Sequence, residues 1–345
     1  MKQDALRQRI DELDEGILEL RAERRRLSQE LLDDAAGVRE HAARARANGG
    51  AATVRAVFQG VGGAYSHLAA RSFFGDGPEA SCEGLPELAD VVRAVEGRKA
   101  THGVLPVENT TAGSVHPVYD LLLGTGLSVV GEIVLRVEHC LVGVEEVPLG
   151  SLRRVFSHWQ ALAQCSRFLA ELPEARAVPW GDTALAASKI AEDGDPAQAA
   201  IASEEAARRH GLPVLRRDVS DERENLTRFL VLARDPVRVD PRLPAKTSLV
   251  MSVPHRPGAL LKALAALEAH GLNLTKIESR PQKGSPFEYL FYLDFEGNLE
   301  EPRVRYALAA LRCAAGIVRV LGCYPAARRP EGGPDPRCAA RDGAG

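Results

Sequence analysis

The sequence predicts an α/β protein: a two-lobed domain around a ligand cleft, then a smaller ferredoxin-like βαββαβ domain, with one long helix in front. Three observations carry this. From Thr53 onward, short apolar strands alternate with helical stretches, and several strand ends place a polar residue at a helix N-terminus. Residues 246–325 read strand, helix, strand, strand, helix, strand, the ferredoxin-like order. Leu6, Ile10, Leu13, Ile17, Leu20, Arg24, Leu27 and Leu31 alternate four and three residues apart, a heptad seam that needs a partner. The segments are a helix and linker (1–50), the central α/β domain (53–234), the C-terminal domain (246–325) and a tail (326–345). Pro236, Pro241 and Pro244 mark the linker between the second and third.

A chain of 345 residues can bury cores that need no staples. Its net charge of -3 offers no basic field for nucleic acid. Cys82, Cys140, Cys165, Cys313, Cys323 and Cys338 form no C-x-x-C pair, and no His cluster has zinc spacing, so reduced thiols and no metal are expected. No apolar run reaches membrane length, and the charged N-terminus has no signal-peptide core. A cytoplasmic location without membrane contact follows as the expectation.

In the N-terminal helix, Arg24 interrupts an apolar seam and must pair, reach out along its stem, set register or meet an anionic ligand. The stretch LRQRIDELDEGILELRAERRRLSQEL, residues 6–31, resembles the first helix of the all-helical chorismate mutase family. The resemblance puts Arg7 and Arg24 on that family's substrate-binding arginines. The family's next lysine position falls near Ala35, and Ala-, Arg- and Gly-rich sequence then runs to a strand near Val54, leaving no room for two further helices. Residues 4–34 therefore read as a relic or a dimerising helix.

In the central domain, Gly60, Gly62 and Gly63 lie between the strand at 55–59 and an Ala-rich helix, where free backbone N–H groups can meet an anion. A dinucleotide site is the rival, and the third fingerprint glycine is missing. A second strand ends in Glu108-Asn109-Thr110-Thr111. A third runs into Ser157, at capping-box spacing from Gln160, with Gln164 a turn later. Asp182-Thr183 repeats the arrangement. Glu224-Asn225-Leu226-Thr227-Arg228-Phe229 then leads into the apolar 230–233, which puts Asn225 and Thr227 at the mouth of a buried strand. Caps are needed at any helix start, so ordinary caps and a cleft for a small polyanion both fit these patterns.

Gly63-Ala64-Tyr65-Ser66-His67, Val107-Glu108-Asn109 with Gly113-Ser114-Val115, residues 157–165, Asp182-Thr183-Ala184 and residues 225–229 together resemble prephenate dehydratase, in that family's order and spacing. The resemblance implies a fold like the periplasmic binding proteins, with the active site in the cleft and no cofactor. Carried over, Glu108, Asn109, Ser157, Gln164 and Thr227 take catalytic positions, while Tyr65, Ser66, Thr183, Asn225, Arg228 and Phe229 are the substrate-binding candidates. By period two Phe229 shares a strand face with Thr227, whereas Arg228 points to the other. Trp159 stands where the family usually has Pro. Ala64, found often in plant arogenate-type relatives, leaves prephenate or arogenate as substrate.

In the C-terminal domain, Gly258-Ala259-Leu260-Leu261 and Glu278-Ser279-Arg280-Pro281 resemble the two phenylalanine-binding motifs of ACT domains. Gly258 opens a helix whose N–H groups suit an effector carboxylate, and Glu278 suits its ammonium. A purely structural domain is the alternative.

The resemblance implies conversion of prephenate to phenylpyruvate with loss of carbon dioxide and water, regulated by phenylalanine, in a homodimer or higher homo-oligomer. Thr227 is the candidate contact for the leaving hydroxyl, positioning it or relaying a proton from Glu108 or water. The rival readings are arogenate dehydratase, a bifunctional mutase and dehydratase, and a non-catalytic amino-acid sensor.

Overall fold

The computed structural model describes residues 54–75, 77, 80–282 and 289–327, together with Gly16, Glu19, Leu20, Glu23 and Leu27. These five are helical, and the seam residues Leu20 and Leu27 are exposed. The rest of the heptad seam, including Arg7 and Arg24, and the tail beyond 327 lie outside the described residues. The chain divides into two compact units with the boundary between Asp235 and Pro236.

The first unit holds two sheets. In one, β1 (Val54–Gln59) lies parallel to β2 (Ala80–Leu85) and β3 (His102–Asn109). Strand β11 (Leu226–Ala233) runs antiparallel between β3 and β5 (Ser128–Arg136), and the two-residue β4 (Gly113–Ser114) pairs with β3. Helices α1 (Tyr65–Phe74), α2 (Leu88–Glu96) and α3 (His116–Gly124) cover it. The second sheet has the order β10 (Val214–Arg216), β6 (Cys140–Gly143), β9 (Gln198–Ala202), β7 (Arg154–Ser157), β8 (Arg176–Pro179). Every residue of β9 is buried, as expected of a central strand covered on both faces.

Around the second sheet lie α4 (Trp159–Gln164), α5 (Ser166–Ala170), α6 (Thr183–Asp193) and α7 (Glu204–His210). The Asp182 carboxylate caps α6 by accepting from the Leu185 amide at 2.7 Å, and Ser203 caps α7 through the Ala206 amide. The chain passes between the sheets twice, through residues 137–139 and 217–225. These segments are hydrogen-bonded side by side: Val137 N donates to Asn225 O at 2.7 Å, and Val219 N to His139 O at 3.1 Å. This is the two-lobed α/β arrangement with crossing strands expected from the sequence.

Two local expectations change. Ser157 does not cap α4 with Gln160. His158 is the N-cap and uses no side chain, while the Ser157 hydroxyl, wholly buried at the end of β7, donates to Ile201 O at 2.6 Å. The glycine loop is close-packed. Gly63 has φ +97°, and a Cβ there would sit 2.9 Å from Ala206 Cα on α7. Its N–H is taken by His67 Nδ1 at 3.1 Å, and its carbonyl accepts from the Ser203 hydroxyl at 2.7 Å. At this position glycine is required by contact between the lobes.

In the second unit, β12 (Ala245–Ser252), α8 (Ala259–Glu268), β13 (Leu274–Pro281), β14 (Tyr289–Glu296), α9 (Pro302–Ala314) and β15 (Val318–Pro325) form the βαββαβ fold. The antiparallel sheet has the order β13-β14-β12-β15. Leu249, Met251, Leu293 and Phe295 bury one face against Ala263 and Leu267 of α8 and Val304, Leu308 and Leu311 of α9.

Candidate active site

The site is built where β3 ends beside the crossing segments. The register places Asn109 opposite Thr227, so the two side chains share a face. The Asn109 carbonyl oxygen accepts from the backbone amides of Thr111 (3.0 Å) and Ala112 (2.8 Å), and from the Thr111 hydroxyl (2.7 Å). Backbone donors cannot be reversed, so they fix which way this amide points. Its Nδ2 then donates to Asn225 Oδ1 (2.7 Å) and to Thr227 Oγ1 (2.9 Å), with Leu226 O at 3.2 Å.

The direction propagates. With its oxygen accepting, Asn225 presents Nδ2 to Gln164 Oε1 at 3.0 Å, and that oxygen also meets His139 Nε2 at 3.0 Å. Gln164 Nε2 reaches back to Thr111 Oγ1 at 2.5 Å. Gln164 owes its position to a helix break. Asp221, on the returning crossover, donates its N–H to Gln164 O, and its carboxylate accepts from the Ser166 and Arg167 amides, so α4 stops and α5 starts anew. Beyond Gln164, His139 Nδ1 lies 3.0 Å from the Tyr65 hydroxyl, which also reaches Glu138 O at 2.7 Å. Burial lowers the His139 pKa and raises that of Tyr65 well above the usual phenol range, so both stay neutral near pH 7.

The network therefore ties the end of β3, both crossovers, α1 and α4 together with uncharged groups. Thr227's hydroxyl, whose oxygen accepts from Asn109, keeps its own proton for a ligand. Ser66 and Thr183, in the first turns of α1 and α6, are mostly buried, and their hydroxyls have no hydrogen-bond partner among the described residues.

Residues 56–237 match the family model described as prephenate dehydratase, and residues 247–313 match the ACT domain. The chain belongs to the prephenate dehydratase family. It is 41% identical over 274 residues to the bifunctional chorismate mutase/prephenate dehydratase of Escherichia coli K12, covering 79% of this chain and 71% of that protein. It is 44% identical over 283 residues to arogenate dehydratase/prephenate dehydratase 2 of Arabidopsis thaliana, a chloroplastic protein, over 79% and 73% of the two chains. Among solved structures, the prephenate dehydratase of Arthrobacter aurescens in complex with L-Phe superposes with a TM-score of 0.73 at 31% identity, over 79% of this chain and 90% of that one.

Within the dehydratase domain, Asn109, Gln164, Asn225, Thr227 and Tyr65 come together, and four other expected residues do not join them. Ser157 is sealed under Ile201. Phe229 is 1% exposed, so its ring is packed inside the protein and presents no open face to a ligand. Arg228 Nε donates to Glu132 Oε2 at 2.6 Å, and the Glu132 side chain is wholly buried; the guanidinium is held by the protein. Glu108 pairs across the sheet with Arg228, one step out of phase with the Asn109–Thr227 pair, so its side chain turns to the opposite face from Thr227. His139 and Thr111 are members that sequence reasoning missed. For His139 the available signal was a polar break, Glu138-His139, between two apolar strands.

In the ACT domain, residues 253–261 together with Tyr289 and Phe291 line a cavity of about 570 Å³, which takes in Gly258, Ala259, Leu260 and Leu261. Glu278, Ser279 and Arg280 do not line it. They sit on edge strand β13, opposite Tyr292, Phe291 and Leu290. No described helix is long and apolar enough to cross a membrane, and no cluster of metal-ligating side chains occurs among the described residues.

Proposed function

We propose that this chain converts prephenate to phenylpyruvate, carbon dioxide and water, under control of phenylalanine bound at the ACT domain. The observation that carries the reading is the Asn109–Thr227 hydrogen bond, which leaves the Thr227 hydroxyl proton available to a ligand. In the reaction, the bond from the ring to its carboxylate breaks and carbon dioxide leaves. That electron pair enters the ring as the C–O bond to the 4-hydroxyl breaks, and the departing hydroxide is protonated to water. Hydroxide is a poor leaving group, so a donor aimed at that oxygen lowers the barrier. Thr227 takes this role, and because Glu108 is turned to the other face, solvent supplies the net proton. Ser66, Thr183 and the N–H groups at the start of α1, which no side chain caps, receive the substrate's carboxylates.

Around the ACT cavity, Leu261 is 72% exposed, Ile277 44% and Tyr289 44%, and β13 is a sheet edge. A second copy meeting this edge would cover all three, which favours an effector site completed in a homodimer. The reading includes no mutase step. The helix-like resemblance ends at residue 31, and the 22 residues before Val54 cannot supply two more helices.

The experiment is phenylpyruvate formation by the purified chain from prephenate, with and without phenylalanine, with arogenate and chorismate in parallel. Turnover of prephenate, altered by phenylalanine, is the expected result. Product from arogenate alone would move the substrate to its transaminated form, product from chorismate would restore the mutase, and binding without turnover would make the protein a sensor.

A further inference from the structure

We propose that His139 is a positioning residue that, as the Nε2–H tautomer, completes the amide chain begun at Asn109 and holds Gln164 in the orientation that this chain requires. The inference rests on the dehydratase reading only for its kinetic part. Gln164 Oε1 already accepts from Asn225 Nδ2, and an amide oxygen can only accept, so the His139 nitrogen 3.0 Å away must carry a proton. The Asn225 orientation is in turn imposed by Asn109, and Asn109 by the backbone amides of Thr111 and Ala112. At the other end, the single hydroxyl proton of Tyr65 lies between Glu138 O at 2.7 Å and the bare Nδ1 at 3.0 Å.

Were the histidine the opposite tautomer, its bare Nε2 would face the lone pairs of Gln164 Oε1. Relief would require the amide to turn over, which sets its NH₂ against Asn225 Nδ2 and moves the donor from Thr111. Asn109, pinned by backbone amides, cannot turn with it, so the clash is relieved by displacement of Asn225 and Gln164 beside Thr227. His139 sits on the crossover between the lobes and is 2% exposed, so solvent cannot substitute for it.

The test is the ring ¹⁵N spectrum of the whole protein, with the His139 signals assigned by their loss in His139→Gln, combined with prephenate kinetics of His139→Gln and His139→Phe. The expected spectrum has Nε2 protonated and Nδ1 bare. His139→Gln, whose amide NH₂ can replace Nε2–H, should keep kcat within about threefold. His139→Phe should lose about tenfold to a hundredfold in kcat with little change in KM, the scale of a small misplacement of a reacting group. An Nδ1–H spectrum, or full kcat in His139→Phe, overturns the inference. If the wild-type protein does not turn over prephenate, the dehydratase reading falls, while the spectrum still decides the tautomer.

Discussion

Asn109 Nδ2 lies 2.9 Å from Thr227 Oγ1, and the Asn109 carbonyl is pinned by two backbone amides, so the Thr227 oxygen is an acceptor within the protein. The hydroxyl proton is left as the donor toward the cleft. Replacing Thr227 with Ala should lower kcat on the order of 10² or more, the scale of a positioned proton-transfer group, whereas Thr227→Ser should stay within about tenfold. Near-normal prephenate turnover by Thr227→Ala would remove the assignment.

The same relationship predicts the effect of Asn109→Asp. The introduced carboxylate still accepts from Thr111 and Ala112, yet it cannot donate to Thr227 and draws that hydroxyl's proton to itself. A loss in kcat on the order of 10² is expected, as for removal of one preorganised donor. A loss confined to KM would show that Asn109 serves binding alone.

Arg228 is held by a wholly buried Glu132, and so acts on stability. Truncating it to Met takes the guanidinium away from a wholly buried carboxylate, at a cost of about 3–5 kcal/mol in denaturant unfolding. Glu132→Gln added to Arg228→Met should recover part of that loss. The folded fraction of Arg228→Met should keep its kcat within about threefold, and a selective rise in KM instead would return Arg228 to the substrate.

His102, buried against Phe74 and near Arg234, has its pKa lowered to about 4 by burial and then by that guanidinium. Its folded pKa lies below the unfolded value near 6.5, so the unfolded chain takes up the proton first. Its contribution is intact above about pH 6.5, is lost as pH falls from there to about 4, and amounts to roughly 3 kcal/mol across that window. Between pH 7 and 4 the unfolding free energy of wild type should fall by roughly 3 kcal/mol relative to that of His102→Phe. Parallel curves would refute the shift.

Leu261 lines the ACT-domain cavity yet is largely exposed, so it can be changed without touching a core. Leu261→Lys should weaken the phenylalanine response about tenfold or more, the effect of removing one apolar contact from the bound ring. The kcat on prephenate without effector should be unchanged. An unaltered phenylalanine titration would place the effector elsewhere.

Alternation of short strands with capped helices, the linker prolines, and the six-element order of the ACT domain were all legible in the sequence, because each is a local pattern with its own period or punctuation. So were Asn109, Gln164, Asn225 and Thr227, polar residues at strand mouths and helix ends. Ser157 carried the same local signature and proved to be a buried tie to Ile201, because what faces it is a strand more than forty residues away in sequence.

Strand period alone put Thr227 and Phe229 on one face and Arg228 on the other, but it could not say what either face meets. Packing decided that. The protein interior took Phe229, Glu132 took Arg228, and the β3–β11 register turned Glu108 away from Thr227. The direction of the amide chain and the inclusion of His139 were also beyond the sequence, since both depend on crossovers that bring residues 109, 139, 164 and 225 within hydrogen-bond reach. Local propensity determines which elements form, and hydrogen-bond saturation among distant segments determines which of their polar groups remain free to act.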